Sequence, residues 1–160
     1  MLGLNSEGFI RHLIIDMTLV ENNSFEYCTG QGIHVDTAYP WMESNGTRNV
    51  VIRNNNFINC GYGVTGYADA LAVCVETETD IHKAGIHKNL TIENNYVFGH
   101  TKPAFYLSCI DGVKLRNNRV ITSTPAVWIE YGANVEISGN NFGTEKVETS
   151  LNCSGIKITE

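Results

Sequence analysis

The feature that most constrains this chain is a recurrence. Five times an apolar residue, a spacer and a paired or near-paired asparagine lead into another apolar residue. The frames are Val20-Glu21-Asn22-Asn23-Ser24-Phe25, Ile52-Arg53-Asn54-Asn55-Asn56-Phe57, Ile92-Glu93-Asn94-Asn95-Tyr96-Val97, Leu115-Arg116-Asn117-Asn118-Arg119-Val120 and Ile137-Ser138-Gly139-Asn140-Asn141-Phe142. Their lead residues lie 32, 40, 23 and 22 positions apart, a basal period of roughly 22 residues interrupted by two insertions. A unit that short cannot bury an apolar face alone, so it stacks on its neighbours as a solenoid.

The period admits leucine-rich repeats as well as β-helices, and the residues inside each unit decide between them. Val50 and Ile52, Leu90 and Ile92, Val113 and Leu115, and Val135 and Ile137 alternate with polar neighbours at period two, as half-buried strands do. A second alternating set follows: Ile33 and Val35, Leu71 and Val73, Phe105 and Leu107, Val127 and Ile129, Ile156 and Ile158. No helical stripe separates them, so the expected fold is all-β: a right-handed parallel β-helix of five to six rungs. Asparagine suits its corners because it tolerates the left-handed conformation and its amide can bond to the same amide one rung away.

Length and charge narrow the classes. At 160 residues and 42% hydrophobic, one core and one domain over residues 1–160 are expected. The net charge of -6 opposes nucleic-acid binding, and no apolar run reaches membrane-spanning length. Five cysteines, an odd number without CxxC spacing, read as buried structural thiols, with Cys28 and Cys60 stacked on adjacent rungs. No capping helix is legible at either end, so a fragment of a longer β-helix is expected, with open ends that offer surfaces for self-association.

Insertions in a solenoid map to loops on one face and commonly mark the binding side. The first, between Val35 and Asn49, contains Asp36, Trp41 and Glu43. The second, between Cys60 and Asn89, contains Glu76, Glu78, His82 and His87. The second strand of each unit points its apolar residues inward, leaving His34 and Asp36, then Ala72, Cys74 and Glu76, then Tyr106 and Ser108, then Trp128 and Glu130 to face out. Rings that stack on pyranose faces beside carboxylates that accept hydroxyl hydrogen bonds suit a saccharide.

Aligning Val35 with Val73 sets Asp36 opposite Cys74 and Glu76 one rung over and two residues along, about 8 Å away. That separation suits the two carboxyl groups of an inverting glycosidase, one protonating the leaving oxygen and the other activating water. Asp36 and Glu76 are therefore the candidate catalytic pair. His82 and His87 match neither a helical nor a same-face strand pair and read as exposed loop residues. Neither metal nor cofactor is expected. Arg53 and Arg116 stand at the asparagine corners, away from the acidic strip, which disfavours a lyase with an arginine base.

Two stretches carry a family resemblance. Gly30-Gln31-Gly32-Ile33-His34-Val35-Asp36, through Trp41-Met42-Glu43-Ser44 to Asn49-Val50-Val51-Ile52-Arg53-Asn54-Asn55-Asn56-Phe57-Ile58-Asn59-Cys60, resembles the later rungs of glycoside hydrolase family 110, the bacterial α-1,3-galactosidases. Ala70 to Glu78, Lys88 to Asn95, Ala104-Phe105-Tyr106 and Asp111-Gly112 to Leu115-Arg116-Asn117-Asn118 are similar to the rungs that follow. The resemblance implies a right-handed β-helix and metal-independent, inverting release of terminal α-1,3-linked galactose from glycans, outside the cell or in the periplasm. The family's Asp-Asp-Gly-x-Asn-x-His segment has no match in this chain.

What carries over is a substrate-facing wall: Trp41 and Glu43 by motif, with Glu76 or Glu78 as a supporting acid. His34, Tyr106, Trp128 and Glu130 complete the substrate-binding set read from the outward row. The expected protein is thus a carbohydrate-active β-helix with a glycan partner. The competing expectation is a non-catalytic polysaccharide-binding or structural surface module.

Overall fold

A computed structural model describes residues 15–37, 46–62, 70–77, 82–99, 102–121, 125–144, 146–150 and 152–159. Fifteen strands run in order: β1 (Ile15–Glu21), β2 (Ser24–Glu26), β3 (Ile33–Val35), β4 (Thr47–Arg53), β5 (Asn56–Ile58), β6 (Val73–Val75), β7 (His87–Glu93), β8 (Tyr96–Phe98), β9 (Phe105–Ser108), β10 (Ile110–Arg116), β11 (Arg119–Ile121), β12 (Val127–Glu130), β13 (Ala133–Ser138), β14 (Val147–Thr149) and β15 (Ser154–Thr159). Through β13 every third strand returns to the same sheet, and among the described residues the last rung has no strand in the second. The first sheet is β1-β4-β7-β10-β13-β15, the second β2-β5-β8-β11 and the third β3-β6-β9-β12-β14. All pairings are parallel, and the described residues contain no helix. The molecule is a right-handed parallel β-helix.

The frame leads stack in one column, Val20 on Ile52 on Ile92 on Leu115 on Ile137. Together with Val50, Leu90, Val113 and Val135 they fill the core side of the first sheet. Phe57, Val97 and Val120 close it from the second, and Val73, Phe105, Leu107, Val127 and Ile129 from the third. Phe25 and Phe57 lie stacked with ring centroids 5.0 Å apart. Each fully buried Leu, Ile or Phe contributes about 1.5–3 kcal/mol, so the core is a stack of equivalent layers rather than one central cluster.

The paired asparagines divide the work at the corner between the first and second sheets. The first of each pair takes the left-handed conformation: Asn22, Asn54, Asn94 and Asn117 have φ between 54° and 60°, and Gly139 stands in the same place at 60°. The second turns inward. Asn23, Asn55, Asn95, Asn118 and Asn140 form a ladder in which each Nδ2 donates to the next Oδ1 at 3.0–3.2 Å, and that same oxygen accepts a backbone N–H at 2.8–3.0 Å. A second column was not legible in the sequence. Asn49, Asn89 and Asn134 have φ of 52–56° within the long first-sheet strands and bend them.

Two strand assignments differ from expectation. Ile33 pairs with Val73 and Val35 with Val75, a two-residue shift from the expected alignment of Val35 with Val73. A shift of two preserves the in-out alternation, so the hydrophobic pattern cannot detect it. Ile156 and Ile158 lie in the first sheet, opposite Val135 and Ile137, not in the second alternating set. Cys60 is buried as expected, with its Sγ 3.3 Å from the carbonyl of Phe25; Cys28 is half-buried. Burial pushes the Cys60 thiol up to about 11.

Candidate functional site

The outer face of the third sheet is built in rows. Register aligns His34, Cys74, Tyr106, Trp128 and Glu148 across β3, β6, β9, β12 and β14. One step along, Glu130 faces Ser108. The Glu76 amide donates to the Val35 carbonyl at 2.9 Å, so the pairing continues past the strands and sets Asp36 beside Glu76. Their backbones are therefore one rung apart, about 4.8 Å, which replaces the offset of about 8 Å inferred from sequence. The face is also less open than its alternation implied. Cys74 is 0% exposed and Ser108 is 4% exposed although both alternate outward, and Ala72, expected to face out, instead packs in the core with Ala104 and Ala126.

Glu76 is held by its neighbours. His34 Nε2 lies 2.5 Å from Glu76 Oε1. That hydrogen bond, with the imidazole's charge and a hydrogen bond from Cys74, keeps the carboxyl below the usual carboxylate range against the opposing effect of burial. Asp36 Oδ1 accepts the amide of Thr37 at 2.6 Å. On the next rungs Tyr106 Oη donates to Glu130 Oε2 at 3.1 Å, and Trp128 Nε1 donates to Glu130 Oε1 at 2.8 Å. Both oxygens of Glu130 are thus engaged by ring donors. Desolvation, reinforced by Glu130, pushes the Tyr106 phenol well above its ordinary value.

Trp41, Glu43 and Glu78 lie outside the described residues. Of the remaining candidates, His34, Asp36 and Glu76 come together on two adjacent rungs, and Tyr106, Trp128 and Glu130 form a second group on the next two.

His87 departs from its expected place in an exposed loop. It opens β7 and is 0% exposed, with Nδ1 3.1 Å from Thr47 Oγ1 and Nε2 2.8 Å from the Glu76 carbonyl. Desolvation lowers its pKa, so the neutral ring donates from Nε2 and accepts the threonine hydroxyl at Nδ1. The first sheet is thereby tied to the backbone of Glu76. The signal that would have found it is positional, since His87 shares a column with Ile110, an inward core residue. His82 is exposed as expected and stacks on Tyr131 with centroids 5.2 Å apart. Arg53 and Arg116 pair with Glu21 and Glu93, each at 2.6 Å, on the first sheet.

A third grouping was not expected. The ligand atoms of His34, Cys74 and Glu76 all lie within 4.8 Å of one another. They bring together an imidazole, a thiol and a carboxylate on a single patch.

A family model described as periplasmic copper-binding protein (NosD) matches residues 75–159, from the last residue of β6 through β15. The chain belongs to the NosD family. The resemblance to α-1,3-galactosidases is borne out alongside it. Alpha-1,3-galactosidase A of Bacteroides thetaiotaomicron is 31% identical over 106 residues, covering 64% of this chain and 17% of that protein. Alpha-1,3-galactosidase B of Phocaeicola vulgatus is 30% identical over 142 residues, 78% of this chain and 24% of that protein. Alpha-1,3-galactosidase A of Bacteroides fragilis is 34% identical over 115 residues, 68% of this chain and 18% of that protein. The chain therefore spans only about a sixth to a quarter of the length of these curated relatives. Of His34, Cys74 and Glu76, which offer nitrogen, sulfur and oxygen donors, only Glu76 lies within the residues that the family model matches.

Proposed function

We propose that this protein is a carbohydrate-active β-helix that acts on terminal α-galactosyl glycans outside the cytoplasm, and that the outer face of its third sheet is the saccharide side. Residues 1–160 then form one domain within a longer β-helix. The observation that carries the reading is the Tyr106–Glu130–Trp128 group, supported by kinship to the α-1,3-galactosidases. Two half-buried rings anchored by one carboxylate are pre-ordered, so a sugar stacking there loses little side-chain entropy on binding. His34, with Trp41, Glu43 and Glu78, completes the substrate contacts in this reading.

Asp36 and Glu76 are the proposed acid pair. Glu76, whose carboxyl His34 holds below its ordinary value, suits the base or nucleophile, with Asp36 as the second carboxyl of the pair. Inversion, which the family resemblance implies, needs carboxyl groups about 6.5–9.5 Å apart, and retention about 5–5.5 Å. The stereochemistry of the released sugar is therefore informative.

The test is galactose release from an α-1,3-galactosyl disaccharide by the 160-residue chain, with Asp36→Asn and Glu76→Gln beside it and the anomer followed by NMR. Turnover lost in both variants supports the pair. Turnover that survives both removes Asp36 and Glu76 from catalysis. A folded parent that binds the disaccharide without releasing galactose reduces the chain to a binding wall.

A further inference from the structure

We propose that His34, Cys74 and Glu76 form a binding site for a divalent first-row transition ion, held by one imidazole nitrogen, one thiolate sulfur and one carboxylate oxygen. The site follows from topology. His34 and Cys74 are register partners on β3 and β6, and Glu76 follows Cys74 by two residues, which returns its side chain to the same face. No local spacing announces it, because His34 and Cys74 are brought together only by stacking one rung on the next.

The three donors lie within 4.8 Å of one another. Ligands at about 2.0–2.3 Å from a tetrahedral ion stand roughly 3.3–3.8 Å apart, so side-chain rotations of about an ångström complete the set. Burial is graded in the direction that metal entry requires. Cys74 is 0% exposed, while the His34 and Glu76 side chains beside it are 37% and 24% exposed. Binding exchanges the His34–Glu76 hydrogen bond and the Cys74 proton for three metal bonds, and the proton leaves to solvent.

The mixed donor set selects the ion class. Carboxylate sites without sulfur suit magnesium and calcium, whereas imidazole with thiolate suits zinc and its neighbours. Three protein ligands leave one position facing solvent, where a bound ion would supply a Lewis acid. The inference rests on these donors and not on the family description, whose match begins at Val75 and includes neither His34 nor Cys74. It goes beyond the saccharide reading and does not depend on it. The two meet at His34 and Glu76, which cannot serve the ion and a glycoside at once.

The experiment titrates Zn(II) into the reduced, metal-free 160-residue chain against a chromophoric chelator, with no saccharide present. Co(II) then serves as a spectroscopic probe. One equivalent of Zn(II) should bind. His34→Gln and Cys74→Ser should each weaken it about a hundredfold or more, and Glu76→Gln about tenfold. The Co(II) form should show sulfur-to-metal charge transfer that Cys74→Ser abolishes, while Cys28→Ser leaves binding unchanged. Because His34 is exposed, His34→Gln tests the site even where a substitution at the buried Cys74 perturbs the fold. No Zn(II) uptake by the folded parent, or uptake that His34→Gln leaves unchanged, would overturn the proposal.

Discussion

Replacing Asn95 and Asn94 separately distinguishes two jobs that adjacent, identical residues perform. Asn95 is 2% exposed; its Oδ1 accepts the Asn55 amide at 2.9 Å and Asn55 Nδ2 at 3.2 Å, and its Nδ2 donates to the Ile52 carbonyl at 3.1 Å and Asn118 Oδ1 at 3.0 Å. Asn95→Ala strands the backbone N–H of Asn55, itself 1% exposed, at about 1–3 kcal/mol, and deletes further bonds at about 1 kcal/mol each. Asn118 Oδ1 keeps the Asn95 amide at 3.0 Å, and Asn55 Nδ2 keeps the Val20 carbonyl at 3.0 Å, which limits the loss. The expected total is about 3–5 kcal/mol, a large part of the 5–15 kcal/mol typical of a domain. Asn94 is exposed at φ 54°; Asn94→Ala should cost about 1–2 kcal/mol for the left-handed backbone, and Asn94→Gly close to nothing. Urea unfolding of the three variants measures this, with a midpoint drop of about 2 M for Asn95→Ala at a slope near 2 kcal/mol/M. The division of labour is refuted if Asn95→Ala costs under about 1 kcal/mol, or if Asn94→Ala costs as much.

Other perturbations probe different joints. Gly61→Ala places a Cβ 2.7 Å from the Ala70 carbonyl oxygen at φ 68°, and a loss of about 2 kcal/mol or more is expected on thermal unfolding. His87→Ala removes the links to Thr47 and the Glu76 carbonyl and should cost about 2–4 kcal/mol in urea; an unchanged midpoint would show that the buried ring ties nothing together. Iodoacetamide at pH 8 should label Cys28 well before Cys60, whose thiol is buried and raised to about 11; equal rates by peptide mass spectrometry contradict that. Trp128→Ala should weaken galactoside affinity about tenfold with little change in unfolding midpoint, and an unaltered affinity would remove Trp128 from the saccharide surface.

What was legible in the sequence, and what was not, follows from the range over which each signal acts. The β-helix and the stacking of Val20, Ile52, Ile92, Leu115 and Ile137 were readable because burial enforces the same residue type at the same phase in every rung. The asparagine ladder was readable for the same reason, whereas the bend at Asn49, Asn89 and Asn134 was not, since Gly112 and Met17 take the left-handed conformation in the same column and break the residue pattern. The site depends on register between β3 and β6, and alternation cannot distinguish Val35 beside Val73 from Val35 beside Val75. That two-residue ambiguity moves Asp36 from a diagonal position to one beside Glu76 and sets His34 against Cys74. A small outward residue carries the missing information. Cys74 is fully buried on a nominally outer face, and beside it the partly exposed His34 and Glu76 converge. A register fixed by side-chain chemistry as well as apolar phase, with Cys74 set against an imidazole, would have brought the cluster into view from the sequence.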